Sequence, residues 1–317
     1  MAAGLAACST EPGPAGTREP AAEPERPPAA EGVRPPADLL FGAYTYGGVW
    51  DGLAPVLGLE TALGRRLDIV HWFSGWDTVF DPELLQPLRD SGRLPLISWE
   101  SGDIPLREIA AGSHDGYVRA WARAAAAWGG PVYVRPFPEM NGDWTPWNGD
   151  PEALVAAWRH LVRVFGEEGA ANVRWVWSPN ITDEPRTAEN RLERYYPGEE
   201  YVDVLAVDGY NWGSVRPWSD WTEFSDMIGE SYDRITALGT QPFWVAETAS
   251  AELGGDKGEW VRRMFADSSA FPRLEAIIWF DENKETDWRA SSSAASLAGF
   301  RAGLQELAAG RLAAAPR

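Results

Sequence analysis

The stretch "RPFPEMNGDWTPWNG", Arg135 to Gly149, sets one carboxyl group, Glu139, among Met140, Trp144 and Trp147 in a loop stiffened by prolines. A solvated glutamate needs no such surroundings, and a plain hydrophobic core gains nothing from one. Apolar, aromatic surroundings disfavour the charged form and raise a carboxyl pKa, which suits a general acid. A second glutamate, Glu247, sits in "WVAETAS". Two carboxyls, one protonated and one ionised, are the pair needed to break a glycosidic bond; about 5–5.5 Å between them permits direct attack and retention of configuration. The residues therefore cast Glu139 as acid and Glu247 as nucleophile, with Tyr210 beside Glu247 as a donor favouring its charge.

Such a pair must be brought together by the fold. Short apolar runs begin at Phe41, Asp68, Leu94, Val132, Val173, Val202, Pro242 and Leu274. Between them lie helical patterns, at about 33 residues per strand–helix unit, an ordinary βα length. One helix places Tyr117, Ala120, Trp121, Ala124 and Trp128 on a single face. Another begins with Asp150 as N-cap and Pro151 at its first position, and carries Leu154, Trp158, Leu161 and Phe165 inward. The last carries Leu297, Phe300, Leu304 and Leu307. Near-continuous apolar strands are those buried on both faces. Eight such units predict a single (β/α)8 TIM barrel in the α/β class, and no Gly-rich phosphate loop supports a doubly wound sheet instead. Barrel chemistry gathers at the C-terminal strand ends. There the sequence alternates rings and acids: Tyr44, Trp72, Glu100, Glu139, Asn180, Asp208, Tyr210, Trp212, Glu247, Trp279 and Glu282. Rings can stack on pyranose faces while amides and acids bind hydroxyls. Trp121, Trp128 and Trp158 fall on helix core faces and read as packing. His71 suits a core position as well as a ligand contact. "NIT" at Asn180 matches a glycosylation sequon, but its place at a strand end favours a buried asparagine.

Composition narrows the partners. The chain has 317 residues, 18 of them tryptophan, and a net charge of −19 from 47 acidic and 28 basic residues. That balance argues against nucleic acid and anionic membrane surfaces, because phosphates would be repelled. A single cysteine, Cys8, and three scattered histidines exclude an internal disulfide and give no basis for a metal site. No cofactor is expected. Residues 9–37, rich in Pro, Ala and Glu, read as a disordered linker, and residues 38–317 as the barrel domain. Residues 1–8 end in "GLAAC", which resembles a bacterial lipobox whose cysteine is acylated. The preceding apolar part is too short for a signal peptide, so either the start is clipped or the match is chance. The expectation is an extracellular protein, tethered to the membrane through lipidated Cys8 or free in the medium, acting as a monomer.

"RPFPEMNGDWTPW" closely resembles the acid/base segment of glycoside hydrolase family 26, the endo-β-mannanase family of clan A retaining glycosidases. Members typically read Arg-Pro-hydrophobic-His-Glu-Met-Asn-Gly-x-Trp-x-x-Trp. The resemblance implies Glu139 as acid/base and Trp144 as a stacking ring. "WVAETAS" resembles the nucleophile strand, giving Glu247 that role, and "DGYNW" the segment whose tyrosine touches the nucleophile, Tyr210. "IIWFD" followed by "DWR" resembles the eighth-strand segment, with Trp279 as the ring under the reacting sugar. Trp72, Trp147, Trp212, Arg135 and Asn141 complete the expected substrate-binding set, with Arg135 also suited to orienting the carboxylates by a salt bridge. The implied activity is retaining endo-hydrolysis of a β-linked polysaccharide or oligosaccharide of mannan type. One departure stands out: Pro138 replaces the histidine that helps bind the reacting sugar, which leaves other β-glycans open (β-1,3- or β-1,4-glucan, xylan or exopolysaccharide). A catalytically silent glycan-binding barrel is the reading from another class, and retention of both glutamates argues against it.

Overall fold

The computed structural model describes residues 39–314; residues 1–38, with Cys8 and the whole of the 9–37 linker, lie outside it. Eight parallel strands close into a barrel in sequence order. They are β1 (Leu40–Thr45), β2 (Ile69–Gly75), β3 (Leu94–Glu100), β4 (Val132–Pro136), β5 (Val173–Trp177), β6 (Val204–Asn211), β7 (Phe243–Ser250) and β8 (Leu274–Asp281). The helices are α1 (Ala54–Leu63), α2 (Pro82–Asp90), α3 (Leu106–Ala110), α4 (Asp115–Trp128), α5 (Pro151–Glu167), α6 (Phe224–Thr236), α7 (Lys257–Asp267) and α8 (Ala294–Ala314). The expected barrel is the observed one.

Two local expectations need correction. The β5–β6 connection carries no α-helix, only short 3-10 turns over residues 188–190, 192–195 and 199–201. Pro185 and Pro197 within it each remove a backbone donor and disfavour helix for the residue before them. In α4 the buried face is Val118, Trp121, Ala122, Ala125 and Trp128, whereas Ala120 is exposed and Tyr117 half-buried. In an alanine-rich run, neighbouring stripes are equally apolar, and the tryptophans alone fix the rotation. The α5 start is as the residues dictate: Asp150 accepts from the Ala153 N–H at 3.1 Å, and Pro151 follows it.

Period-two alternation sorts each strand between two cores. Leu40, Ile69, Leu96, Tyr133, Val176, Val204 and Trp244 fill the barrel interior. Trp72, Trp99, Trp177 and Trp279 point outward into the layer beneath the helices. Above the apolar interior, toward the C-terminal strand ends, the inward positions turn polar: His71, Ser98, Arg135 and Asp208, all fully buried. That polar layer is the floor on which the site is built.

Candidate active site

Over this floor opens a cleft of about 1300 Å³, and Glu139, Glu247, Tyr210, Trp144, Trp147 and Trp212 all line it. Glu247 reaches it through a break in the strand pattern. On β7, Trp244 and Ala246 face the barrel interior, so strict alternation would turn residue 247 outward. Against β6, however, Val245 pairs with Val207 and Glu247 with Asp208, leaving Ala246 as an extra residue; against β8 the register shifts over the same span. This bulge re-aims Glu247 into the cleft, as bulges beside active sites do.

Below it, each of the three Arg135 side-chain nitrogens donates to a neighbour. Nε donates to Ser98 Oγ at 2.9 Å, one terminal nitrogen to Asp208 Oδ1 at 2.6 Å and the other to Glu247 Oε2 at 2.7 Å. The second oxygen, Oε1, accepts from the Tyr210 hydroxyl. Burial, then the nearby Glu247 charge, raise the Tyr210 pKa well above its usual value, so it remains a phenol and a donor. Each Glu247 oxygen thus accepts from its own donor. Asp208 is fully buried and also accepts from Ser178 Oγ at 2.7 Å; burial pushes its carboxyl up against the pull of Arg135. His71 bonds Ser98 Oγ through Nε2 at 2.6 Å, and burial followed by the Arg135 charge lowers its pKa well below the usual value, keeping it neutral.

Glu139 is held differently. It has φ 55°, and Phe137 has φ 51°, a left-handed conformation that costs a bulky non-glycine residue on the order of 1–3 kcal/mol. The loop's bonds hold this conformation in place. The Glu139 N–H donates to Ser178 O at 2.9 Å, and the Trp147 indole N–H donates to Pro138 O at 2.8 Å. The Glu139 carboxyl accepts from Asn180 Nδ2 at 2.6 Å and from Trp144 Nε1 at 2.8 Å. Burial first, and the Glu247 charge second, raise its pKa; the two hydrogen bonds oppose them. The stiff aromatic loop therefore aims Glu139 into the cleft, where burial and the Glu247 charge favour its protonated form.

The chain's likeness to known proteins agrees with this geometry. Residues 116–259, which hold both glutamates, match the family model "Glycosyl hydrolase family 26". Over 271 residues the chain is 36% identical to Endoglucanase H of Acetivibrio thermocellus, covering 80% of this chain and 30% of that protein. The chain belongs to glycosyl hydrolase family 26. Mannan endo-1,4-beta-mannosidase A and B of Caldalkalibacillus mannanilyticus is 28% identical over 172 residues, 50% of this chain and 30% of its own length. The chain thus spans about 30% of the length of both relatives. Among solved structures, a family 26 beta-mannanase from Bacteroides ovatus shares the fold at a TM-score of 0.63 and 18% identity, covering 86% of this chain and 90% of that one.

Within this family 26 domain, three expected substrate contacts are placed elsewhere. Trp279 is fully buried and faces outward, its indole N–H donating to Trp288 O at 3.1 Å and its ring edge-on to Phe300. Strand alternation sends its neighbour Phe280 into the cleft instead, and Trp288, whose carbonyl Trp279 grips, lines it too. Trp72 likewise faces the helix layer, while Phe73 lines the cleft. Asn141 is fully buried and joins the β4 loop to the β5 loop. It donates to Asn180 O at 3.0 Å and Asp183 Oδ1 at 2.9 Å, and accepts from the Asn180 N–H at 2.8 Å. It thereby positions Asn180 against Glu139. Arg135 lies at the base of the cleft with no exposed surface, each of its three side-chain nitrogens donating to a neighbour, and orients Glu247. Residues the sequence reading passed over include Lys284 and Trp218, both lining the cleft.

The loop after β8, which carries Trp288, is pinned from below by Lys257. Its buried ammonium donates to Asp287 O at 3.1 Å, Arg289 O at 3.0 Å and Ser292 Oγ at 2.8 Å. Burial lowers the Lys257 pKa to about 8 from 10.5. The folded state therefore binds fewer protons than the unfolded state between those values, and stability rises with pH across that window. Relative to Lys257→Met, the wild type is expected to gain about 3 kcal/mol in unfolding free energy between pH 7.5 and 10.5. Denaturant melts of both proteins at several pH values check this, and a flat difference contradicts it.

Trp144→Phe keeps a ring but removes the N–H that stabilises the Glu139 carboxylate. The Glu139 pKa should then rise further, moving the alkaline limb of activity to higher pH. A pH profile of kcat/KM reads this directly; an acid-shifted limb would show that the indole does not stabilise the carboxylate.

Proposed function

We propose that this chain is a retaining, endo-acting β-glycoside hydrolase that cleaves a mannan-type polysaccharide by double displacement. The observation that carries the reading is that Glu139 and Glu247 share one cleft, Glu247 held by Arg135 and Tyr210 and Glu139 by Asn180 and Trp144, with burial and the Glu247 charge favouring the protonated form of Glu139. Glu247 attacks the anomeric carbon as Glu139 protonates the departing glycosidic oxygen. In the second step Glu139 removes a proton from water, which displaces Glu247 and restores the original anomeric configuration. Arg135 and Tyr210 hold the nucleophile's two oxygens throughout. A cleft of about 1300 Å³ exceeds the roughly 300–1,000 Å³ of a small-ligand pocket and suits several sugar units.

A second reading keeps the chemistry and changes the sugar to a β-glucan. Pro138 at the cleft wall offers no directional hydroxyl contact where the family usually has histidine, and the relative matched over 80% of this chain bears the name Endoglucanase H. Reducing-sugar release from mannan, β-glucan and xylan separates the readings. Cleavage of mannan above the others supports the first, preference for glucan the second. Binding without any cleavage would leave only a glycan-binding barrel. We further propose a cell-surface location through acylated Cys8, on the strength of the Leu-Ala-Ala-Cys segment and the Pro-rich tether after it; mass analysis of the membrane fraction tests it.

A further inference from the structure

We infer that Trp218, at the tip of the loop after β6, is an outlying platform for a sugar ring of the polymer, beyond the reacting sugar. The inference rests on the proposed hydrolase reading and extends it to the length of substrate engaged. Trp218 is 70% exposed yet lines the cleft. An indole left in water forgoes a large apolar burial, and its ring contact is with Trp212, which also lines the cleft. The loop that displays it is rigidly based. One buried oxygen, Asn211 Oδ1, accepts from the N–H groups at both ends of the loop, Gly213 at 3.2 Å and Thr222 at 3.0 Å. Ser214 N–H donates to Leu253 O at 3.0 Å, and Ser219 Oγ to Gly213 O at 2.8 Å. Gly213 has φ 51°, and a Cβ there would lie 1.8 Å from Leu253 O, so only glycine permits the closure.

The rings lead outward from the chemistry. Tyr210, bonded to the nucleophile, lies 6.3 Å from Trp212 between centroids, and Trp212 lies 5.4 Å from Trp218. Asp220, two residues further along the same loop, also lines the cleft and offers a hydroxyl acceptor. A preorganised ring on a fixed loop, continuous with the cleft and sharing its loop with a carboxylate, fits one occupant: a pyranose of the same uncharged β-glycan chain, stacked through its C–H face.

The test compares wild type, Trp218→Ala and Trp218→Phe on manno- and gluco-oligosaccharides from trisaccharide to hexasaccharide. A single aromatic stack corresponds to roughly a 3- to 10-fold change. In the alanine variant kcat/KM on the hexasaccharide should fall by that factor more than on the trisaccharide, and phenylalanine should recover most of it. An equal fall at every length, or none, overturns the platform while leaving the hydrolase reading standing. Failure of wild type to cleave any of the oligosaccharides overturns both.

Discussion

Glu247→Ala is expected to lower turnover on the polysaccharide substrate by about 10⁴-fold or more, the order seen when a covalent nucleophile is removed. The protein should still fold. Arg135, which loses one partner, keeps Asp208 at 2.6 Å and Ser98 at 2.9 Å, so its charge is not stranded, although a lowered melting temperature is expected because a buried ion pair is broken. The geometry makes a further demand. With the carboxylate gone, the face of the sugar it attacked is open, and a small anion such as azide can enter there. Added azide should restore turnover on an aryl glycoside and yield the α-glycosyl azide. A variant retaining a tenth of wild-type activity would show that Glu247 is not the group that attacks carbon.

Glu139→Gln should act differently. On the polysaccharide, whose leaving group needs a proton, the loss should be about 10²- to 10⁴-fold; on an aryl glycoside with an acidic leaving group, the first step should be nearly spared. The acid works only when protonated, so wild-type activity is lost as pH rises through the Glu139 pKa. Burial and the Glu247 charge raise that pKa, placing the alkaline limb above the ordinary glutamate range, and in the glutamine variant this limb should vanish. The second of those causes also explains the change of role. Once Glu247 is esterified its charge is gone, the Glu139 pKa falls, and Glu139 becomes the base that the second step requires. Matched pH profiles on the two substrates test this. An alkaline limb that survives in the variant would assign the acid elsewhere.

Much of this was readable before any coordinates. Apolar runs and their spacing specify the barrel, because a parallel strand buried on both faces leaves an unbroken hydrophobic signature. The loop around Glu139 was legible for a related reason: an acid among prolines and tryptophans has no structural excuse. The stacking partners were less accessible. Trp72 and Trp279 stand at strand ends, as Phe73 and Phe280 do, and being large they attract the eye; only the inward parity set by Ile69 and Ile278 assigns the smaller rings to the cleft. That parity was available in the sequence. The Ala246 bulge was not, since nothing in "WVAETAS" announces an extra residue, and parity alone would have turned the nucleophile away from the site. Asn141 failed for a third reason. Its role depends on two loops that meet only in three dimensions, through Asn180 and Asp183.

The proposal that Glu247 forms the bond to sugar while Glu139 handles the proton is tested most directly by trapping. The protein would be incubated with the 2-deoxy-2-fluoro-β-glycosyl fluorides of mannobiose and cellobiose, digested, and its peptides mapped by mass spectrometry. Attachment of one fluoro-disaccharide to Glu247, in the β7 peptide, is the predicted result. Attachment to Glu139 or Glu100, or release of α-configured product with no adduct, would contradict it.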